Sequence, residues 1–494
     1  MGLTWLPGHR QARQLSQPGP SRQWALVLTS AAFFMVALDA LVVITALPAI
    51  HHDLGASVST LEWTVNAYTL SFAAGIITAA ALGDRLGRRR VYVAGLLIFT
   101  AASAACALAP GAGALIAARA VQGIGAAIVT PLSLTILTAA WPAERRGTIV
   151  GIWGGIAGLA VAAGPMVGGA VVQGLSWHWI FWVNVPIGLA AAAGSMMRLP
   201  ESRGPATRLD IPGVVLVTGG AGGILWGLVR GGEAGWASTE VVVAFALGAA
   251  ALAGFAAWER RAPEPMLPGA LLRIRAFTAA NATGFLQSAA LFSAAFLAAQ
   301  YFQLGLGFDP LGAGLRFLPW TATPVLVAPL AGRLADRIGP RPLMFSGLVL
   351  QAAGFAWIAV IATATVNYTA LILPFVVAGV GISMALPATP TAALSAVPPA
   401  DMGKASGVNN TLQRFGGVFG VAVVTAVFTA TGHLGTPEQV AAGFRPALAV
   451  AAGLSVLGAA AALAVSQRRS GQAQPPAAAQ RADPQPAEAL PVTG

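Results

Sequence analysis

Charge is what this chain has least of. Only 9% of its 494 residues are Asp, Glu, Lys or Arg, where a soluble domain carries about a quarter, and the mean hydropathy is +0.73. Among the 28 basic side chains Lys404 is the sole lysine. A single cysteine, Cys106, excludes an internal disulfide framework and a Cys-built metal cluster. The five histidines (His9, His51, His52, His178 and His433) fall in the N-terminal arm or between apolar runs, so no His-Glu-x-x-His site lies in such a run and no metal is expected. There is no Gly-x-x-x-x-Gly-Lys-[Ser/Thr] loop, so nucleotide-driven work would require another subunit, and no cofactor is expected.

What the chain has is apolar length. Hydrophobic windows separated by bursts of charge lie at 24–47, 62–82, 91–109, 113–138, 149–172, 180–198, 211–229, 241–258, 277–303, 313–334, 343–363, 369–395, 407–430 and 445–465. Each approaches the roughly 20 residues with which a helix crosses hydrocarbon. The expected fold is therefore all-α, a polytopic membrane protein of 14 transmembrane helices. The run at Trp24 is too long for a signal-peptide core and lacks a small-residue cleavage site, so it is read as the first span.

The basic residues set the orientation. With residues at the ends of the windows counted to the adjoining loops, alternate loops hold only Arg230, Arg316 and Arg445, Arg119 and Arg414 lie inside spans, and the others fall in the arm, the tail and the intervening loops. By the positive-inside rule both termini are expected in the cytoplasm and the chain in the cell (inner) membrane. The net charge of +11 is then a topological signal, and no nucleic-acid partner is expected.

An internal repeat divides the chain. GDRLGRRR at 83–90 echoes ADRIGPRP at 335–342, and GIGAAIVTP at 123–131 matches GVGISMALP at 379–387. Pro142, Gly147 and Gly151 align with Pro398, Gly403 and Gly407 in the same register as that second pair. The expected domains are an arm at 1–23, a six-helix half at 24–198, a linker with two inserted helices at 199–276, a second six-helix half at 277–465 and a Pro/Ala/Gln-rich, disordered tail at 466–494. The terminal LPVTG resembles a sortase signal, but no apolar stretch follows it and it lies on the expected inner side, so it is rejected.

Asp39 stands alone in MVALDALVVITALPAI at 35–50. A charge in hydrocarbon costs about 3 kcal/mol or more, so such residues are usually functional. At 1.5 Å per residue Asp39 lies roughly 12 Å from the outer end of span 1, and Arg119 roughly 9 Å from the outer end of span 4. Desolvation opposes the carboxylate's charge and a guanidinium supports it, so access to water and to Arg119 would toggle a proton. The alternative is a permanent structural salt bridge.

Further motifs carry a family likeness. AALGDRLGRR at 80–89 and its second copy GRLADRIGPR at 332–341, ARAVQGIGAA at 118–127, GPMVGG at 164–169 and WHWIFWVNVPIG at 177–188 resemble the major facilitator superfamily, and within it the fourteen-span drug:proton antiporters. Span 1 keeps Leu38, Asp39, Ala46, Leu47 and Pro48 of that family's pattern, but has Leu41 and Ile44 where Thr and Asn are usual. The resemblance implies proton coupling at Asp39 and Arg119, with Gln122, Gly123 and Gly125 in the span-4 motif. It implies a gate at Asp84, Arg85, Gly87, Arg88 and Arg89 and at Gly332, Asp336, Arg337, Gly339 and Arg341, for which plain topology-setting arginines are the other reading. Gly164, Pro165, Gly168 and Gly169 match the motif that marks antiporters, although glycine-rich helix contacts are ordinary in membranes. Asn66, Tyr68, Gln287, Gln300 and Arg414 are either cavity groups or helix bridges.

The implied function is proton-coupled export of a lipophilic small molecule, a drug or antibiotic, by alternating access between the halves. The bilayer and protons are the other partners, and the oligomeric state is not legible, a monomer being favoured. A proton-coupled importer and a non-transporting sensor remain open. An enzyme is not expected: an intramembrane aspartyl protease needs two aspartates in spans, and only Asp39 lies in one.

Overall fold

Hydrocarbon offers the backbone no hydrogen-bond partners, so a chain that crosses it must close its own. This one does so with helices throughout; the structure, a computed structural model, describes residues 20–203, 210–262, 265, 269–398 and 402–465, and contains no strand among them. The expected arm up to residue 19, the tail from 466 with its LPVTG, and the side chains of Asp336 and Lys404 lie outside the described residues.

The helices are α1 (Pro20–Leu54), α2 (Val58–Leu86), α3 (Arg88–Ala107), α4 (Ala112–Ala140), α5 (Ala143–Gly174), α6 (Trp179–Trp182), α7 (Asn184–Arg198), α8 (Ile211–Ala234) and α9 (Thr239–Glu259). After the short α10 (Gly269–Leu272) come α11 (Arg275–Gln300), extended by a π-turn, α12 (Pro310–Arg316), α13 (Leu318–Thr321), α14 (Thr323–Ile338), α15 (Pro340–Ile361), α16 (Tyr368–Ser395), α17 (Met402–Thr431) and α18 (Pro437–Ala462).

Among the described residues 11 helices are long and apolar enough to cross a membrane, or 12 with α2, which bends by 50° between Ile76 and Thr78. The expected count of 14 is not reached in this way. Of the two windows outside the count, 149–172 falls in α5, one helix of 32 residues. The other, 313–334, is not one span but the three pieces α12, α13 and α14. Pro319 and Pro324 lie at the starts of α13 and α14, and a proline there has no N–H with which to continue the preceding helix.

Packing groups the helices. α1 lies against α4, α5 and α7, and α4 against α2 and α3; α11 lies against α16, α17 and α18, and α15 against α16 and α18. The two groups meet along two seams, α2 with α17 and α5 with α12. The α8–α9 pair sits outside: α8 touches both α2 and α17, and only 11% of the apolar window of α9 is buried. Large apolar side chains such as Met197 (77% exposed) and Leu326 (72% exposed) lie on the outside of the bundle.

The turn between α2 and α3 is made at Gly87 with φ 113°, and the turn between α14 and α15 at Gly339 with φ 87°. Both angles lie where a side chain is strained, which explains why each copy of the repeat keeps a glycine there.

Candidate functional site

Asp39 is 2% exposed and Arg119 is 1% exposed, and their side chains meet: Arg119 Nη1 donates to Asp39 Oδ2 at 2.6 Å. The other carboxylate oxygen accepts from Gln122 Nε2 at 3.0 Å and from Asn184 Nδ2 at 2.8 Å. Gln122 sits one turn beyond Arg119 on α4, so its own carbonyl oxygen turns back and accepts from Arg119 Nη1 at 2.6 Å. Ser103 closes the ring. Its hydroxyl accepts from Gln122 at 3.2 Å and Asn184 at 3.0 Å and donates to the Phe181 carbonyl at 3.0 Å.

The remaining faces of Arg119 are also filled. Its Nε donates to the Thr64 carbonyl at 3.2 Å, and its guanidinium carbon lies 4.1 Å from the Tyr68 ring centroid and 5.8 Å from that of Phe181. Six helices (α1, α2, α3, α4, α6 and α7) thus enclose one ion pair. Every group around the carboxylate is a donor, so the cage fits the ionised form. A proton on either oxygen would face a donor hydrogen and must displace it.

A cavity of about 250 Å³ lies beside this cage, between the two groups of helices. Aromatic walls come from Phe33, Phe292, Phe317 and Trp320, and Pro165 of α5 lies on its edge. The polar lining is Thr45, Ser288, Thr321, Asn410, Gln413 and Arg414, with Arg414 the one charged group among the described residues. Asp39 is not part of the lining, although its neighbours Ala37, Ala40 and Leu41 are.

Of the five polar residues singled out in the sequence, Arg414 alone lines this cavity. Asn66 donates to Glu62 at 3.0 Å, Tyr68 reaches the Val36 carbonyl at 3.4 Å, and Gln287 accepts from Thr389 at 3.0 Å. Gln300 is buried, with neither amide atom hydrogen-bonded among the described residues.

The motif glycines sit at close approaches. On Gly123 an added Cβ would fall on the Tyr68 carbonyl, and on Gly125 it would come within 2.6 Å of the Phe99 nitrogen. In the span-5 motif, Gly164 and Gly168 receive Leu41, Val42 and Thr45 of α1, whereas Gly169 receives the Pro310 carbonyl of α12. Gly314 of α12 in turn receives the Pro165 carbonyl. This seam is reinforced by Gln173 accepting from the Leu311 N–H at 3.1 Å and Gln303 donating to the Thr45 carbonyl at 2.8 Å.

At the opposite end, Asp84 holds Arg88 at 2.8 Å, and the chain leaving α7 is clamped over the α2–α3 turn. Arg89 N–H donates to Glu201 at 3.0 Å, Arg89 Nη1 to the Leu199 carbonyl at 3.0 Å, and Arg88 N–H to the Ser202 carbonyl at 2.8 Å. A Cβ on Gly87 would come within 2.8 Å of the Glu201 carboxyl group. Arg85 is exposed beside this clamp. In the second copy Arg337 is exposed, and Gly332 and Arg341 are half-buried.

Sequence reasoning missed Ser103, Asn184, Glu201 and Glu62. Glu62 is fully buried, so Asp39 is not the only acid inside the bundle. The signal for Glu62 was its place in EWTVNAYTL at the edge of a window; for Asn184 it was the lone amide in WHWIFWVNVPIG.

An all-helical membrane bundle with a sealed acid–base pair beside a cavity between two packed groups of helices is the build of a secondary transporter, not of an enzyme. The chain belongs to the Major Facilitator Superfamily, whose profile matches residues 29–269 and 280–492. It is 33% identical over 407 residues to a tetracenomycin C resistance and export protein of Streptomyces glaucescens, covering 82% of this chain and 75% of that one. It is 34% identical over 458 residues to a puromycin resistance protein of Streptomyces alboniger, covering 89% and 90%. With a methylenomycin A resistance protein of Streptomyces coelicolor it shares 34% identity over 400 residues, 81% of this chain and 84% of the other. A crystal structure of a POT family transporter in complex with 5-aminolevulinic acid superposes with a TM-score of 0.67 at 15% identity, over 90% of this chain and 97% of that one. At that identity the likeness is one of fold.

Proposed function

We propose that this chain is a proton-coupled antiporter of the cell membrane, with cytoplasmic termini, that exports lipophilic small molecules, antibiotics among them. The observation that carries the reading is the Asp39–Arg119 cage, an ionisable pair buried next to the cavity yet closed off from it. The names of its relatives support export of such compounds.

Because the cage is all donors, loading a proton onto Asp39 requires Arg119, Gln122 or Asn184 to let go. These donors come from α4 and α7, so proton binding pushes on helices rather than on one side chain. Release of Arg119 frees a cation beside Tyr68 of α2, the helix that forms one seam with α17. Proton loading on the outer side and release to the cytoplasm are thereby tied to rocking of the two groups of helices about the cavity. Gly169 of the span-5 motif lies at the outer seam, and the clamp made by Asp84 on Arg88 and Glu201 on Arg89 braces the cytoplasmic end of the first group. The proton gradient is the engine and no cofactor takes part. One proton falling through 100 mV supplies about 2.3 kcal/mol, enough for roughly a fifty-fold substrate gradient.

The test compares wild type with Asp39→Asn at matched expression in a pump-deficient bacterial host, following accumulation of a panel of dyes and antibiotics with and without protonophore. Wild type is expected to lower accumulation of at least one compound, the protonophore to abolish the effect, and the variant to lack it. Raised accumulation in wild type would replace export by import. A variant that exports as well as wild type would reduce the pair to a structural salt bridge.

A further inference from the structure

Two arginines lie within the bundle, and the fold treats them differently. Arg119 is saturated: a carboxylate, an amide, a carbonyl and two aromatic rings surround it. Arg414 on α17 lines the cavity and, among the described residues, makes no ion pair and no hydrogen bond; its guanidinium carbon lies 4.3 Å from the Phe72 ring centroid. A guanidinium carries five donor hydrogens, and a ring face supports its charge but accepts none of them in the plane. Among the described residues no carboxylate lines the cavity. Asp39 cannot serve, because both its oxygens are already engaged within the cage.

The cavity is therefore an apolar, aromatic-walled space with one unsatisfied positive charge at its edge. A lipophilic cation entering it would meet a like charge in a low-dielectric site. A neutral compound would leave the guanidinium as it is. An anion would satisfy it, and a planar pair of oxygens would do so in the two-pronged geometry that arginine favours.

We propose that the preferred substrates of this cavity are lipophilic monoanions, an aromatic frame bearing one carboxylate or acidic phenolate, with the anionic oxygens on Arg414 and the frame between Phe33, Phe292 and Trp320. The proposal rests on the export reading and extends it by fixing the sign of the substrate's charge. Asn410 and Gln413, within about a turn of Arg414 on α17, line the cavity with it and supply further polar contacts.

The experiment measures binding to the full-length protein in lipid nanodiscs. Three probes share one frame: anthracene-carboxylic acid, its methyl ester and the aminomethyl analogue, each followed by quenching of tryptophan emission. Wild type is expected to bind the acid about tenfold or more tighter than the ester, with the amine weakest. Arg414→Gln is expected to weaken the acid roughly ten- to a hundredfold and to leave the ester within about twofold. Equal affinity for acid and ester in wild type, tightest binding of the amine, no binding of the acid, or an equal loss of acid and ester in Arg414→Gln would each overturn the proposal. Should Arg414→Gln not purify as a monodisperse species, Arg414→Lys decides. An acid-to-ester ratio below that of wild type but above one is expected, since lysine keeps the charge without the fork; an unchanged ratio overturns it. The export reading is scored separately by the protonophore assay. A charge-blind cavity in a chain that still exports removes this inference alone, and an acid-selective cavity in a chain that moves nothing removes only the export reading.

Discussion

Asp39 and Arg119 each make the other tolerable. Removing one member of a buried pair leaves an uncompensated charge, at a cost of about 3–5 kcal/mol, whereas removing both leaves neutral groups. Arg119→Leu is therefore expected to lower the unfolding midpoint of the purified protein more than the double substitution Arg119→Leu/Asp39→Asn. A double-mutant cycle should return a coupling of about 2 kcal/mol or more, and additivity would mean that the pair is not formed in the membrane-embedded protein. The pair was legible in the sequence because each charge interrupts a window that is otherwise apolar. Its second layer was not. Ser103 and Asn184 are small polar residues of a kind that often bridge helices, and only the docking of α7 on α1, and of α3 on α4 and α7, gathers them around the carboxylate. Glu62 escaped because it falls at a window's edge, where an acid reads as interfacial until burial is seen.

At the scale of elements, the span-5 glycines have two partners, and the sequence could not separate them. Gly164 and Gly168 face α1 within the first group, while Gly169 and Gly314 let α5 and α12 touch backbone to backbone across the seam. Gly169→Val should therefore hold that seam apart and leave the packing of α1 on α5 intact. The check is a short bifunctional thiol reagent linking Gln173→Cys to Leu311→Cys, positions whose native residues share a hydrogen bond at 3.1 Å. The sole native cysteine, Cys106, is buried and will not compete for the reagent. Cross-linking is expected to fall several-fold in the Gly169→Val background; unchanged cross-linking would show that the seam yields without the glycine. The repeat announced the turns at Gly87 and Gly339, since local backbone geometry dictates a glycine at each. It did not announce the division of 313–334 into α12, α13 and α14. There the hydropathy is continuous and only the prolines break the hydrogen-bond ladder.

For the whole molecule, the inserted pair has the least obvious place, because it has no counterpart in the repeat. α8 lies over the seam between α2 and α17 and packs on both: Leu225 is buried with Val418 and Ala422 of α17, and Trp226 stacks obliquely on Trp63 of α2 at 5.9 Å. If the two groups of helices rock, α8 cannot stay fixed to both. The chain entering it argues for the first group. Leu199, Glu201 and Ser202, just before the linker to α8, are clamped to Arg88 and Arg89 at the α2–α3 turn, whereas the contact with α17 is a patch of small apolar side chains with no hydrogen bond among the described residues. α8 should therefore travel with α2 and slide over α17. Cross-linking Leu225→Cys to Val418→Cys is expected to stall protonophore-sensitive export, and cross-linking Trp226→Cys to Trp63→Cys is expected to leave it largely intact. The reverse pattern would assign α8 to the second group. Export that survives both links would mean that the α2–α17 seam does not move, and the rocking would then have to be confined to the α5–α12 side of the cavity.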